Sequence, residues 1–143
     1  MRSRSFSELP PLVCGVADVP PWPFCPAAPF SQLALARGYR DAGACPDGGA
    51  PLLKPIIAAA SDQVDFSARG LVVDGTSIPN TAPLAVDTKG RPLNHWAFGR
   101  YTVPAGEVWV ASSYNNRSFD SRYFGPIPAT AIRSRVKPVL TFR

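Results

Sequence analysis

The sequence predicts a single, mainly β domain made of short antiparallel strands and one short helix. A length of 143 residues fits one domain, and the 45% of hydrophobic residues can build a core. The 17 prolines and 11 glycines interrupt the chain often, which favours short strands and loops over long helices. No run approaches the ~18 consecutive apolar residues of a membrane helix, so no membrane anchor is predicted.

The N-terminal part is predicted to be irregular. Residues 1–23 are rich in proline, and we expect them to form an irregular segment in front of a β domain over residues 24–143. The basic start is like that of a secretory signal, but acidic residues and prolines break the apolar run that should follow, so no export signal is predicted. Residues 32–38 are the one predicted helix, capped by Ser31 and ended by Gly38.

Short apolar runs separated by turn residues predict the strands. Residues 52–60 form a nearly continuous apolar run, which predicts a strand that enters a core. Residues 64–66 and 70–75 predict a hairpin that is closed by Asp74 and Gly75. Three further runs complete the predicted strands: residues 101–103, 107–112 and 135–142.

The net positive charge is confined to the C-terminal part of the chain. Residues 1–116 carry nine basic and nine acidic groups, whereas residues 117–143 carry six basic groups and one acidic group. Such a surface fits an anionic membrane surface, or it is a solvated strand end. Beyond Tyr123 and Phe124 the tail has no aromatic residues placed for base stacking, so no nucleic-acid partner is predicted.

The three cysteines leave two alternatives open. Cys25 and Cys45 are each followed by proline, and they could pair in an oxidising compartment and leave Cys14 over. In a reducing compartment all three would be free thiols. A metal site is not predicted, because no Cys-x-x-Cys pair is present and His95 is the only histidine.

Lys54 is the unusual residue of the apolar run at 52–60. One interpretation is that its stem lies along apolar neighbours while its amine reaches solvent. The other is that burial lowers the pKa of the amine, so that Lys54 can act as a general base and deprotonate a serine. A Ser-His-Asp triad would need His95, which lies in a predicted surface loop.

Two segments resemble the type I signal peptidases. Residues 118–126 read Ser-Phe-Asp-Ser-Arg-Tyr-Phe-Gly-Pro and resemble the last conserved box of that family. Residues 52–62 resemble the box around its catalytic lysine. Further short matches at residues 24–26, 37–39 and 43–46 are similar to the conjugative-transfer branch, whose members mature pilin subunits.

The resemblance implies a role for each matching residue. Lys54 would be the general base of a Ser-Lys dyad, and Ser118 would hold the lysine amine in place. Asp120 and Arg122 would form a supporting ion pair. Because they are two residues apart in a segment that we expect to be extended, their side chains should point to the same side.

The resemblance also implies a fold, a function and a location. The fold is an antiparallel β domain of the signal-peptidase type, with a groove in which substrate lies as an added strand and small side chains precede the cut. The activity is that of a serine endopeptidase that removes leader peptides from exported or conjugation-pilin proteins, without a cofactor, at the periplasmic face of the plasma membrane. In that setting Cys25 and Cys45 would form a disulfide.

The nucleophile motif of the family is missing. Family members have a membrane helix followed by a Ser-x-Pro-x-Gly type motif, and no serine near this N-terminus has proline two residues on. We therefore expect a truncated or divergent N-terminus. Ser7, with proline three residues on, is the candidate nucleophile, and Ser3 and Ser5 stay open. The alternative function is a non-catalytic domain of the same fold that binds extended peptides.

Two smaller departures from the family pattern lie beside these boxes. Ser61 stands where the family favours glycine before an aspartate. Ser112 and Ser113 stand where the broader family has Gly-Asp.

Overall fold

The computed structural model describes residues 21–132, in which two antiparallel sheets account for most of the regular structure. Eight strands follow one another along the chain: β1 (Pro21–Phe24), β2 (Leu52–Ala58), β3 (Gln63–Ser67), β4 (Gly70–Val73), β5 (Thr76–Ser77), β6 (Gly99–Thr102), β7 (Glu107–Val110) and β8 (Ile127–Pro128). One sheet has the order β1-β2-β7-β8 and the other β5-β4-β3-β6. The predicted mainly β, antiparallel fold is thus confirmed.

Helices are few and short. The described residues contain helix α1 (Phe30–Ala36), helix α2 (Ser121–Phe124) and a 3-10 turn at Ala129–Ala131. Within residues 21–132 neither helix combines the length and the apolarity needed to cross a membrane.

Strands β2 and β7 lie between two apolar cores. Because successive side chains of a strand point to opposite faces, Ile56 packs into one core and Ile57 into the other. Val110 and Trp109 divide in the same way on β7. Residues 55–58 of β2 are buried on both faces and have no polar side to alternate with, which explains the continuous apolar run after Lys54.

The expectations for α1 were right about its existence and its end, and wrong about its start. The helix ends before Gly38, which has φ +79 and so adopts the left-handed conformation that glycine favours. Ser31 does not cap the helix. It lies inside the first turn and is buried, while Pro29 occupies the capping position without a side-chain hydrogen bond.

Two other details of the predicted strands need correction. The hairpin of β3 and β4 is present, but Asp74 and Gly75 form the next turn, between β4 and β5. Strand β1 was not predicted, and it pairs with the first half of β2 across the expected domain boundary at residues 23/24. That boundary stays a prediction, and the strand predicted at residues 135–142 lies outside the described residues.

Candidate active site

Strand β2 carries Lys54 on the same face as Ile56, toward the core that also contains Phe119 and Tyr123. Lys54 is half-buried, and its Nζ donates a hydrogen bond to Ser118 Oγ at 2.8 Å. Burial lowers the pKa of the Lys54 amine. The negative charge of Asp120 opposes this shift. The predicted contact is therefore present, and the pKa of the amine is shifted in the direction that a general base needs.

Asp120 and Arg122 form a buried ion pair below this contact. Neither side chain is accessible to solvent, and two hydrogen bonds join them, Nε to Oδ1 at 2.8 Å and Nη2 to Oδ2 at 2.9 Å. The expectation of an extended segment was wrong. Asp120 is the N-cap of α2 and accepts a hydrogen bond from the Arg122 backbone N–H, so the helix start brings the two side chains together.

Arg122 also ties three other segments to α2. Its Nη1 donates to the carbonyl oxygens of Asn80 and Asn116, both at 3.1 Å, and its Nη2 donates to the carbonyl of Ser112 at 3.2 Å. The Asp120 carboxylate accepts a further hydrogen bond from the Ser112 N–H at 3.0 Å. A guanidinium with this many partners is satisfied without water, so the buried pair fixes the loop that carries Ser118.

Lys54 and Ser118 open onto a pocket of about 250 Å³. Its walls combine apolar, aromatic and polar side chains: Tyr39, Leu52, Leu84, Asp87, Thr88, Leu93, Asn115, Arg117, Phe119 and Tyr123. Beside the pocket, β7 pairs with β2 only from Ile56 onward, so the β7-side edge of β2 is uncovered by that strand at Lys54. The arrangement offers a base, a cavity for a side chain and a strand edge for a peptide backbone.

A second buried carboxylate, that of Asp87, also lines the pocket. Its Oδ2 accepts hydrogen bonds from the Tyr39 hydroxyl and from Arg91 Nε, each at 2.7 Å, and Arg37 Nη1 lies 3.8 Å away. Burial alone would raise the pKa of Asp87, but the hydrogen bonds from Tyr39 and Arg91 hold it well below its ordinary range. Asp87 therefore stays ionised, with its charge matched by arginines.

The remaining predicted site residues are Ser7 and the two cysteines Cys25 and Cys45. Ser7 lies outside the described residues, as do Ser3 and Ser5, so its role stays a prediction. A disulfide joins Cys25 to Cys45, whose Cα atoms are 5.7 Å apart.

The sequence also raised two other kinds of site, a metal site and a Ser-His-Asp triad with His95. Within residues 21–132 no three His, Cys, Asp or Glu side chains come together in a way that could hold a metal ion. His95 is exposed and stacks on Phe98 at a centroid distance of 4.1 Å, outside the pocket.

Sequence reasoning missed two residues that line the pocket, Asp87 and Arg117, and it missed Asn80, whose carbonyl accepts from Arg122. Asn80 has φ +60, and its Nδ2 donates to the Ser113 carbonyl at 2.7 Å. Its one sequence signal is the Pro-Asn pair, which is typical of a turn. The Asp-Thr-Lys-Gly stretch after Val86 also signals a turn, but nothing in it indicates that Asp87 is buried.

Comparisons with known proteins show the family of the chain. The model of the family described as "Signal peptidase, peptidase S26" matches residues 27–141. The chain belongs to the peptidase S26 family of signal peptidases.

The relatives in that family include conjugation proteins. The chain is 37% identical to the plasmid transfer protein TraF of Escherichia coli over 121 residues, which are 83% of this chain and 68% of the relative. It is 42% identical to the probable conjugal transfer protein TraF of Sinorhizobium fredii over 117 residues, 82% of this chain and 60% of the relative. Among solved structures, a signal peptidase I from Enterococcus faecalis has a TM-score of 0.44 and 18% identity, covering 82% of this chain and 93% of that one.

Proposed function

We propose that the chain is a serine endopeptidase that removes leader peptides from exported proteins, among them pilins of a conjugation system, with Lys54 as the general base. One observation carries the proposal: a half-buried lysine with a lowered pKa opens onto a pocket and is held by Ser118. Lowering the pKa of an amine increases its neutral fraction, and a neutral amine can take the proton from a serine hydroxyl that attacks a peptide carbonyl. The similarity to TraF proteins supports a conjugation substrate.

The remaining parts of the proposal concern two serines, the location and the partners. Ser118 is a positioning residue, because its hydroxyl accepts from Lys54 Nζ and so holds the amine toward the pocket. Ser7 is the proposed nucleophile. The Cys25–Cys45 disulfide supports an oxidising compartment, which fits the periplasmic face of the membrane. Protein leader peptides are the proposed partners.

The first prediction concerns the base. Lys54→Met should lower kcat/KM for a fluorogenic leader peptide by about a thousandfold, the size of a general-base contribution. Lys89→Met is the matched control, because Lys89 is exposed and does not line the pocket. Since burial lowers the pKa of Lys54, activity should rise with pH at a lower pH than an ordinary lysine would give. Cleavage that survives Lys54→Met would contradict the assignment.

The nucleophile needs its own test. Cleavage by the full chain should be lost in Ser7→Ala, and cleavage that persists there would eliminate Ser7. A second version carries the Ser-x-Pro segment of a relative fused in front of the chain. If that segment supplies the nucleophile, the fused version should cut the peptide and the unfused chain should not. If no version cuts, fluorescence anisotropy with the labelled peptide tests the alternative of a non-catalytic peptide-binding domain.

A further inference from the structure

Arg117 differs from the other arginines around the pocket. Of the seven arginines in residues 21–132, five form ion pairs with an aspartate: Arg37, Arg40, Arg91, Arg100 and Arg122. Within the described chain Arg117 and Arg69 pair with no carboxylate. Arg117 is exposed and lines the pocket, whereas Arg69 lies in the turn between β3 and β4, away from it. The pocket is therefore lined by a guanidinium that has no carboxylate partner within residues 21–132.

Among the described residues that line the pocket, no carboxylate is free to pair with this guanidinium. Among the described lining residues Asp87 is the one acid, and its carboxylate is already bonded to Arg91 and Tyr39. The Asp120 carboxylate beneath Lys54 is likewise occupied by Arg122. The positive charge of Arg117 is thus unmatched within the described part of the chain, which favours an anionic group on whatever enters the pocket.

The backbone around Arg117 is fixed rather than loose. The Arg117 N–H donates to Asn115 Oδ1 at 2.9 Å, and the Ser118 N–H donates to the Asn115 carbonyl at 3.1 Å. The carbonyl of Asn116 accepts from the buried Arg122 guanidinium at 3.1 Å. Arg117 is therefore presented from a constrained turn, directly beside the residue that holds the lysine amine.

We infer that Arg117 is a specificity-determining residue that favours substrates with a side-chain carboxylate close to the scissile bond. The inference rests on the proposed function, because it assumes that a peptide is cut at Lys54. Arg117 and Lys54 line the same pocket, and an extended peptide rises ~3.3 Å per residue, so a group that Arg117 can reach lies within a few residues of the cut. A guanidinium binds a carboxylate through paired hydrogen bonds, so aspartate or glutamate is the residue it selects.

The test is a charge exchange between enzyme and peptide. The substrates are leader peptides with amidated ends. In each peptide one position, among the three on either side of the cut, is occupied by Glu, Gln or Lys. The peptides are offered to the parent chain, to Arg117→Glu and to the matched control Arg69→Glu. At one position the parent should prefer Glu over Lys by about fivefold in kcat/KM, the size of an exposed ion pair. Arg117→Glu should reverse this preference and Arg69→Glu should keep it.

Two further measurements separate the possible outcomes. Salt at ~1 M should remove most of the preference, since it shortens the screening length to about 3 Å. Peptide binding to Lys54→Met, measured by anisotropy, should show the same order of Glu over Lys even where no peptide is cut. Absence of cleavage by any version counts against the proposed function. Equal cleavage and equal binding of the Glu and Lys peptides, or a preference that Arg117→Glu leaves unchanged, overturns the role of Arg117.

Discussion

Single residues in this site are used in two opposite ways. Lys54 is half-buried without a carboxylate in direct contact, which lowers its pKa and gives it the character of a base. Asp120 and Arg122 are fully buried and hydrogen-bonded to each other, and they position the loops around them. Burial thus lowers the pKa of one group and makes the other two a hydrogen-bonded support.

The buried pair yields a stability prediction. Asp120→Ala should lower the free energy of unfolding by about 3–5 kcal/mol, because it leaves the Arg122 guanidinium buried without a counter-charge. Asp65→Ala is the matched control, since its partner Arg100 is 70% exposed and such a pair contributes at most about 1 kcal/mol. Urea denaturation followed by fluorescence measures both. Equal losses in the two variants would mean that the buried pair contributes no more than a surface one.

At the scale of elements, the end of helix α2 requires a glycine, Gly125. Gly125 ends the helix with φ +73 and ψ −159, a combination that only glycine adopts readily. A Cβ atom at this position would lie 2.5 Å from the ring of Trp96, whose backbone N–H donates to the Arg122 carbonyl. Gly125 therefore allows Trp96 to cover the end of the helix that carries the buried ion pair.

This packing gives an element-scale prediction. Gly125→Ala should destabilise the domain by about 3 kcal/mol or more, the sum of backbone strain and overpacking. Gly75→Ala is the comparison, because Gly75 has φ +85 but nothing within 4 Å of an added Cβ, so only a backbone penalty of about 1 kcal/mol is expected. Thermal denaturation of both variants separates the two effects. A Gly125→Ala variant no less stable than Gly75→Ala would show that Trp96 moves aside freely.

Elements and contacts could be predicted from the sequence where the signal is local. The apolar run around Lys54 and the turn residues Asp74 and Gly75 are such signals, and even there the turn was assigned to the wrong hairpin. Ser61, where the resemblance led us to expect glycine, has φ +79, which explains why glycine suits that position. Strand β1 escaped prediction because half of its four residues are proline, which is tolerated at sheet edges but gives no strand signal.

Contacts between distant segments could not be predicted in this way. The hydrogen bond from Arg122 to the Asn80 carbonyl joins residues 42 positions apart, and the one from Lys54 to Ser118 joins residues 64 apart. The second was expected only because two conserved boxes of a known family could be recognised. The first has no counterpart in those boxes, and the unpaired state of Arg117 depends on where every aspartate of the fold lies.

For the molecule as a whole, the site sits where separate parts of the chain meet. The lysine comes from β2, the serine and the ion pair come from the turn before α2, and the Asp87 wall comes from the long loop between β5 and β6. The β2–β7 pair, buried between the two cores, supports the first two of these parts. A change in the packing of either core should therefore displace the residues of the site that β2 and the turn before α2 carry.

The disulfide provides the prediction at this scale. It joins the residue after β1 to the loop that leads into β2, and it closes a loop over a sequence separation of 20 residues. Reduction should lower the free energy of unfolding by about 3 kcal/mol, because the unfolded chain then regains the freedom that the crosslink removed. Denaturant curves with and without reductant measure this difference, and a Cys14→Ser background restricts thiol chemistry to the pair.

The double variant Cys25→Ser and Cys45→Ser should match the reduced chain and no longer respond to reductant. If reduction leaves the midpoint unchanged, the crosslink does not stabilise the fold, and the support it gives to an oxidising compartment is withdrawn.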